Sequence, residues 1–145
     1  NIRRERIKLQ CRNMIQKFRA WDTIKKEMFK DTFAITESGQ VVIVEQGFVT
    51  DTPEYVFVDN LVIMQSTGNT DENEKEIFEG DILAVETDDG TLNVNVFWDE
   101  GHALFMFESK QYNEKEALAE LLEDDSYPFE IIGNIYENPE LLKEV

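Results

Sequence analysis

Few residues in this chain have the types and spacing that catalysis or ligand binding needs. The sole histidine, His102, falls one position past Gly101 in a turn, a place that leaves an imidazole facing solvent. The sole cysteine, Cys11, lies near the amino terminus, and no Gly-x-Ser-x-Gly elbow occurs, so nucleophilic catalysis has little support. Carboxylates are abundant, and Glu79 with Asp81 or Asp99 with Glu100 could work as an acid–base pair in a cleft. Each pair sits in a glycine-containing turn, and turn chemistry accounts for all four more simply. Thr70–Asp81 has the outline of a calcium loop through Asp71 and Asn73. Lys75 then stands where a third ligand belongs, and Glu76 replaces the glycine of the sharp turn. No phosphate-cradling loop, dinucleotide fingerprint or metal-ligand spacing is found elsewhere. Lys17-Phe18-Arg19-Ala20-Trp21 interleaves basic and aromatic residues as single-strand binders do, but in an acidic chain it makes a poor electrostatic funnel. The sequence therefore assigns no catalytic, cofactor-binding or metal-ligating residue.

The elements that would hold any such group must come from 145 residues with 41% hydrophobic content, enough for the core of one ordinary domain. The net charge of −17 is the compositional outlier. It disfavours direct binding of nucleic acid by the bulk surface, because that binding neutralises phosphates with Lys and Arg. A single cysteine permits neither an internal disulfide nor a thiolate zinc cluster. No apolar run approaches the ~18 residues of a membrane span, and no secretory h-region is seen, so a cytoplasmic location is expected.

Residues 1–13, NIRRERIKLQCRN, differ in character from the rest of the chain. They carry five basic residues and Glu5, a net of +4, so the remainder holds −21. Met14 directly precedes a strand pattern, which suggests a start at Met14 and an added extension before it. The other reading is a basic amphipathic arm that docks on the acidic body. Residues 14–145 are expected to form one domain.

Within it, Ile15–Asp22 alternates as a strand with two partly apolar faces, and Met28–Phe33 can return as its hairpin partner. Phe33–Thr36 and Val41–Glu45 form a second hairpin around Gly39. The unbroken run Val41–Val44 suits a strand covered on both faces. Tyr55–Gln65 predicts one long strand or two short ones broken at Asp59-Asn60. Ser66–Glu76 is a polar loop of the length that is often functional or mobile. Ile77–Glu108 contains three antiparallel strands joined at Asp88-Asp89-Gly90 and Asp99-Glu100-Gly101. Leu92, Val94, Val96 and Trp98 share one face of the middle strand, and Asn93 and Asn95 share a wet one. Trp98 should meet Phe105 or Phe107 across the strands. Asn113 with Glu116 forms a capping box ahead of Ala117, Leu118, Leu121 and Leu122, which predicts a helix over about 113–123. Phe129–Tyr136 is a last strand. Asn138 and Pro139 open a short C-terminal helix. The fold class is mainly β (α+β), with antiparallel strands in a partly open SH3-like barrel or curled sheet.

The ordered set Lys17–Asp22, Met64–Gly68, Lys75–Ile82, Phe97–Asp99 and Ile132–Leu142 resembles the YopX family of phage and prophage proteins. The resemblance runs over residues 15–142. One departure is the loop Asp71–Lys75, where the family typically has an Asn-Gly turn and this chain has Glu74. The resemblance implies a mainly β fold with a partly open barrel, self-association, and no known catalytic residues or cofactor. With the empty catalytic inventory it leads to one expectation: a non-enzymatic, homo-oligomeric accessory protein in a bacterial host, acting through a host or phage protein partner. The alternative is an acidic nucleic-acid mimic that occupies a host DNA- or RNA-binding protein, motivated by the charge.

Overall fold

The computed structural model describes residues 16–45 and 47–143; the extension 1–13, Cys11 and Met14 fall outside the described residues. Backbone contacts separate a smaller unit, Arg19–Ile63, from a larger one that takes in Met64 and the residues after it together with Lys17 and Phe18.

In the smaller unit, strand β1 (Phe18–Asp22) pairs antiparallel with β2 (Glu27–Phe29), with Trp21 opposite Met28. Ala20 and Trp21 are buried. The turn between the strands is held by Asp22. Its Oδ1 accepts the backbone N–H of Ile24 (2.9 Å) and Lys25 (3.0 Å) and the side-chain amide of Asn60 (3.1 Å). The hydrogen bond from the Lys25 N–H is the main cause that holds this carboxyl below the ordinary aspartate value.

The remaining strands of this unit are β3 (Phe33–Ile35), β4 (Val41–Glu45) and β5 (Glu54–Val58), in the order β3-β4-β5. The expected break at Asp59-Asn60 separates β5 from β6 (Leu61–Thr70). Cross-strand pairs put Ala34, Val42 and Phe57 on one face and Phe33, Ile43 and Val56 on the other. Only Val42 of the run Val41–Val44 is buried, so the described residues do not cover this strand on both faces.

The larger unit is built on an antiparallel sheet in the order β11-β10-β9-β8-β12. Its strands are β8 (Asp81–Thr87), β9 (Gly90–Asp99), β10 (Leu104–Ser109), β11 (Glu114–Ala117) and β12 (Phe129–Asn134). This is the mainly β, curled half-barrel that the pattern predicts. Val85 faces Leu92, Leu83 faces Val94, and Val96 faces Phe107, so one face of the sheet is continuously apolar. Trp98 and Phe105 pair as expected, ring centroids 5.0 Å apart in an edge-on arrangement. The apolar face is covered by helix α1 (Leu118–Glu123), whose Leu118, Leu121 and Leu122 join Ile77, Val94, Val96 and Phe129 in the core.

Three further expectations differ from what is observed. The helix begins at Leu118, because Glu114–Ala117 pair with Ser109–Met106 as edge strand β11. Asn113 takes a left-handed backbone (φ 53°) and turns the chain back on β10 instead of capping a helix. An open sheet edge offers Lys115 and Glu116 backbone partners at once, whereas a helix nucleus fixes several residues for its first hydrogen bond. Second, Asn95 is buried rather than wet. The 3-10 turn Pro139–Leu142 lies over this face, with the Asn93 amide donating to the Leu141 carbonyl (2.8 Å). Asn138 precedes Pro139 as expected. Its side-chain oxygen accepts the N–H of Asn134 (3.2 Å), and a Cβ on Gly133 would collide with it.

Third, the loop over Ser66–Glu76 is mostly sheet. Ser66–Thr70 complete β6, which pairs with β7 (Glu76–Phe78), and the Thr67 hydroxyl donates to the Ile77 carbonyl (2.8 Å). The turn that remains is organised by Asp71, which is 1% exposed. Its Oδ1 accepts the N–H of Asn73 and of Lys75 (both 2.9 Å), and its Oδ2 accepts the N–H of Ile131 in β12 (2.9 Å). Glu74 takes a left-handed conformation there (φ 62°), which a residue with a Cβ adopts only with strain.

Two substitutions in this turn should move stability in opposite directions. Asp71→Ala strands three backbone donors and should lower unfolding free energy by about 3 kcal/mol in urea titrations. Glu74→Gly removes the steric strain and should raise it by up to about 1 kcal/mol. Equal effects of one sign would contradict this account of the turn.

Candidate functional site

The residues with catalytic potential are placed by turns, and Glu79, Asp81 and Asp99 each have a backbone task. Glu79 Oε1 accepts the N–H of Gln65 (3.0 Å), while Asp81 is buried and its Oδ2 accepts the N–H of Phe78 (2.8 Å). The two carboxylates serve different segments of the β6–β7–β8 connection. Asp99 Oδ1 accepts the N–H of Gly101 (3.1 Å), closing the β9–β10 turn. Its Oδ2 lies 2.6 Å from His102 Nδ1, so the histidine does stand beside a carboxylate. The imidazole is 74% exposed, and no described nucleophile bonds to it. The pair is built like a general base with its orienting acid, but on an open turn.

In the calcium-like segment, both oxygens of Asp71 already accept backbone N–H groups. Among the described residues no group of three His, Cys, Asp or Glu side chains could hold a metal ion. In the basic–aromatic strand, Trp21 is buried and Lys17 pairs with Glu76 (3.2 Å), so Trp21 presents no face on which a base could stack. No helix among the described residues is long and apolar enough to cross a membrane.

Two features remain that the sequence did not single out. One is strand β5, the edge of the three-stranded sheet. Tyr55 is 67% and Phe57 64% exposed on one face, and Val56 is exposed on the other. The second is a cavity of about 320 Å³ in the larger unit, between α1 and the β8–β9 hairpin. Val85, Leu92, Val94, Phe107, Leu121 and Tyr127 form its floor and walls, and carboxylates that include Asp88, Asp89, Glu116 and Glu120 stand at its margin. Neither Asp99 nor His102 lines it. The six-residue helix is too short to cover the whole apolar face of the sheet, and the cavity opens where its cover ends. Leu92 and Val94 were legible as core and Asp88-Asp89-Gly90 as a turn. A helix expected to begin at 113 hides the gap between them.

The Asp99–His102 pair gives a titration test. The hydrogen bond from His102 is the largest cause holding the Asp99 carboxyl below its ordinary 3.8. A depressed carboxylate stabilises the fold above the unfolded value, and that contribution is lost as pH falls through the depressed one. His102→Ala should therefore raise the Asp99 midpoint, followed by NMR from pH 2 to 6. The stability gap between wild type and variant should close below pH about 4. An unchanged midpoint would show that the imidazole does not act on this carboxylate.

The comparisons with known proteins agree with this architecture. The chain is similar to the crystal structure of protein EF1440 from Enterococcus faecalis, with 30% identity and a TM-score of 0.58, covering 90% of this chain and 100% of that one. It shares its fold with the crystal structure of protein yopX from Bacillus subtilis, with 21% identity and a TM-score of 0.60 over 87% and 97% of the two chains. No curated protein matches the sequence significantly. The profile described as YopX protein matches residues 17–143. From Lys17 to Lys143 the sequence and the curled sheet it forms agree, and the chain belongs to the YopX family.

Proposed function

We propose that the protein is a non-enzymatic accessory protein of a phage or prophage that works through protein contacts and assembles with copies of itself through β5. The exposed edge strand carries this reading. β5 has Tyr55, Val56 and Phe57 exposed, and its sheet buries Val42 as its one core side chain among the described residues. A three-stranded sheet with so little buried apolar area is marginal in water, and an apolar edge is a template for pairing with another strand. A second copy supplies the same edge. Antiparallel β5–β5 pairing about a two-fold axis satisfies both rows of free backbone groups and sets the aromatic rings beside those of the second copy.

The phage or prophage origin rests on the family resemblance. The non-enzymatic reading is supported by the tasks of the acidic residues, which hold turns, and by the exposed position of the one Asp–His pair.

Light scattering after size exclusion at micromolar concentration should give a multiple of 16.9 kDa. Val56→Lys and Phe57→Lys each put a charge on the pairing edge and should yield a folded monomer with unchanged far-UV circular dichroism. A wild-type mass of 16.9 kDa would refute self-association.

A further inference from the structure

We propose that the cavity between α1 and the β8–β9 hairpin is a docking site for a basic segment of a partner protein, one that presents a single bulky apolar side chain between arginines or lysines. This rests on the reading of the protein as an interaction module and concerns the larger unit alone, so it stands or falls separately from β5.

The floor carries the argument. Val85, Leu92, Val94 and Phe107 come from three adjacent strands and turn their side chains to one face. Elsewhere on that face Leu118, Leu121 and Leu122 provide cover. At the cavity, α1 stops short and Leu92 and Phe107 are only partly buried. The volume of about 320 Å³ is at the small end of ligand sites, suited to one large aliphatic or aromatic side chain rather than a cofactor.

The margin decides the charge of the occupant. Asp88 and Asp89 come from the hairpin turn, Glu116 from β11 and Glu120 from α1, and all four are exposed. Among the described residues no Lys, Arg or His lines the cavity. Four carboxylates on three separate elements around an apolar floor repel phosphates and acidic peptides and attract a chain that carries several cations. Water-filled surroundings make each ion pair weak, so the apolar anchor supplies most of the affinity and the acids supply selectivity and encounter rate. Phe107 and Tyr127 in the lining add ring faces that favour an adjacent guanidinium.

The test uses labelled synthetic peptides and the full chain in fluorescence anisotropy. The first peptide is a Leu flanked on each side by two Arg; the second replaces that Leu with Gly. The third is NIRRERIKLQCRN, the chain's own basic segment. The first should bind, the Gly peptide should bind roughly tenfold or more weakly, and added salt should weaken both. The double variant Glu116→Gln/Glu120→Gln changes exposed side chains only and should weaken the Leu peptide severalfold. Methyl NMR shifts should localise binding to Val85 and Leu92. Equal binding of the Leu and Gly peptides would show unspecific charge attraction and overturn the proposal. So would unchanged binding to the double variant, or no binding by the first peptide. Binding by the chain's own segment alone would overturn it too, by assigning the cavity to an internal arm.

Discussion

A buried carboxylate, Asp71, is the constraint on which the larger unit depends. Removing an ionised group from water costs several kcal/mol unless hydrogen bonds replace its hydration. Asp71 receives three of them from backbone N–H groups, two from its own turn and one from Ile131. The first two fix the β6–β7 reversal. The third reaches β12, which closes one side of the five-stranded sheet by pairing with β8. The same carboxylate thus joins a local turn to a strand sixty residues away, and neither task can change without disturbing the other.

The same device recurs in smaller form. Asp22 caps the β1–β2 turn, Asp81 accepts a backbone donor from the β7 end, and Asp99 closes the β9–β10 turn. Asn134 accepts the N–H groups of Tyr136 and Glu137 after β12. Short strands with tight reversals leave many backbone donors that no ladder partner can reach, and Asp and Asn side chains are the right length to serve them. Part of the acidic character that stands out in the composition is therefore architectural. Asp81 and Asp99 are the two whose nearby glycines gave them the look of catalytic pairs.

Strand positions were legible because side-chain alternation reports burial directly. Leu92, Val94 and Val96 lie on the inner face as their spacing required, and Trp98 meets Phe105. The errors fall where two structures compete for the same residues. Asn113 and Glu116 satisfy a capping pattern, yet the open edge of β10 recruits Glu114–Ala117 before a helix can form. Ser66–Glu76 reads as loop because its residues are polar, but burial of Ser66, Thr67 and Asp71 is made tolerable by hydrogen bonds that no periodicity reveals. The cavity was illegible for the same reason: it exists because of the helix start, and that was set by a tertiary contact.

These placements change where function should be sought. The residues that mark the family, from Lys17–Asp22 through Lys75–Ile82 to Ile132–Leu142, contribute the turn caps, the Gly133–Asn138 contact and the buried core. A side chain already committed to a backbone donor cannot also bind a partner without unfolding its turn. The surfaces left to act lie outside those motifs: β5, whose rings have no cover, and the cavity margin, whose carboxylates are exposed. Both are apolar patches, one at a sheet edge and one beneath a short helix, and each is suited to another polypeptide rather than to a small reactive substrate. Motif residues that build the scaffold, and open surfaces that suit strands and side chains, are the ground on which we propose assembly.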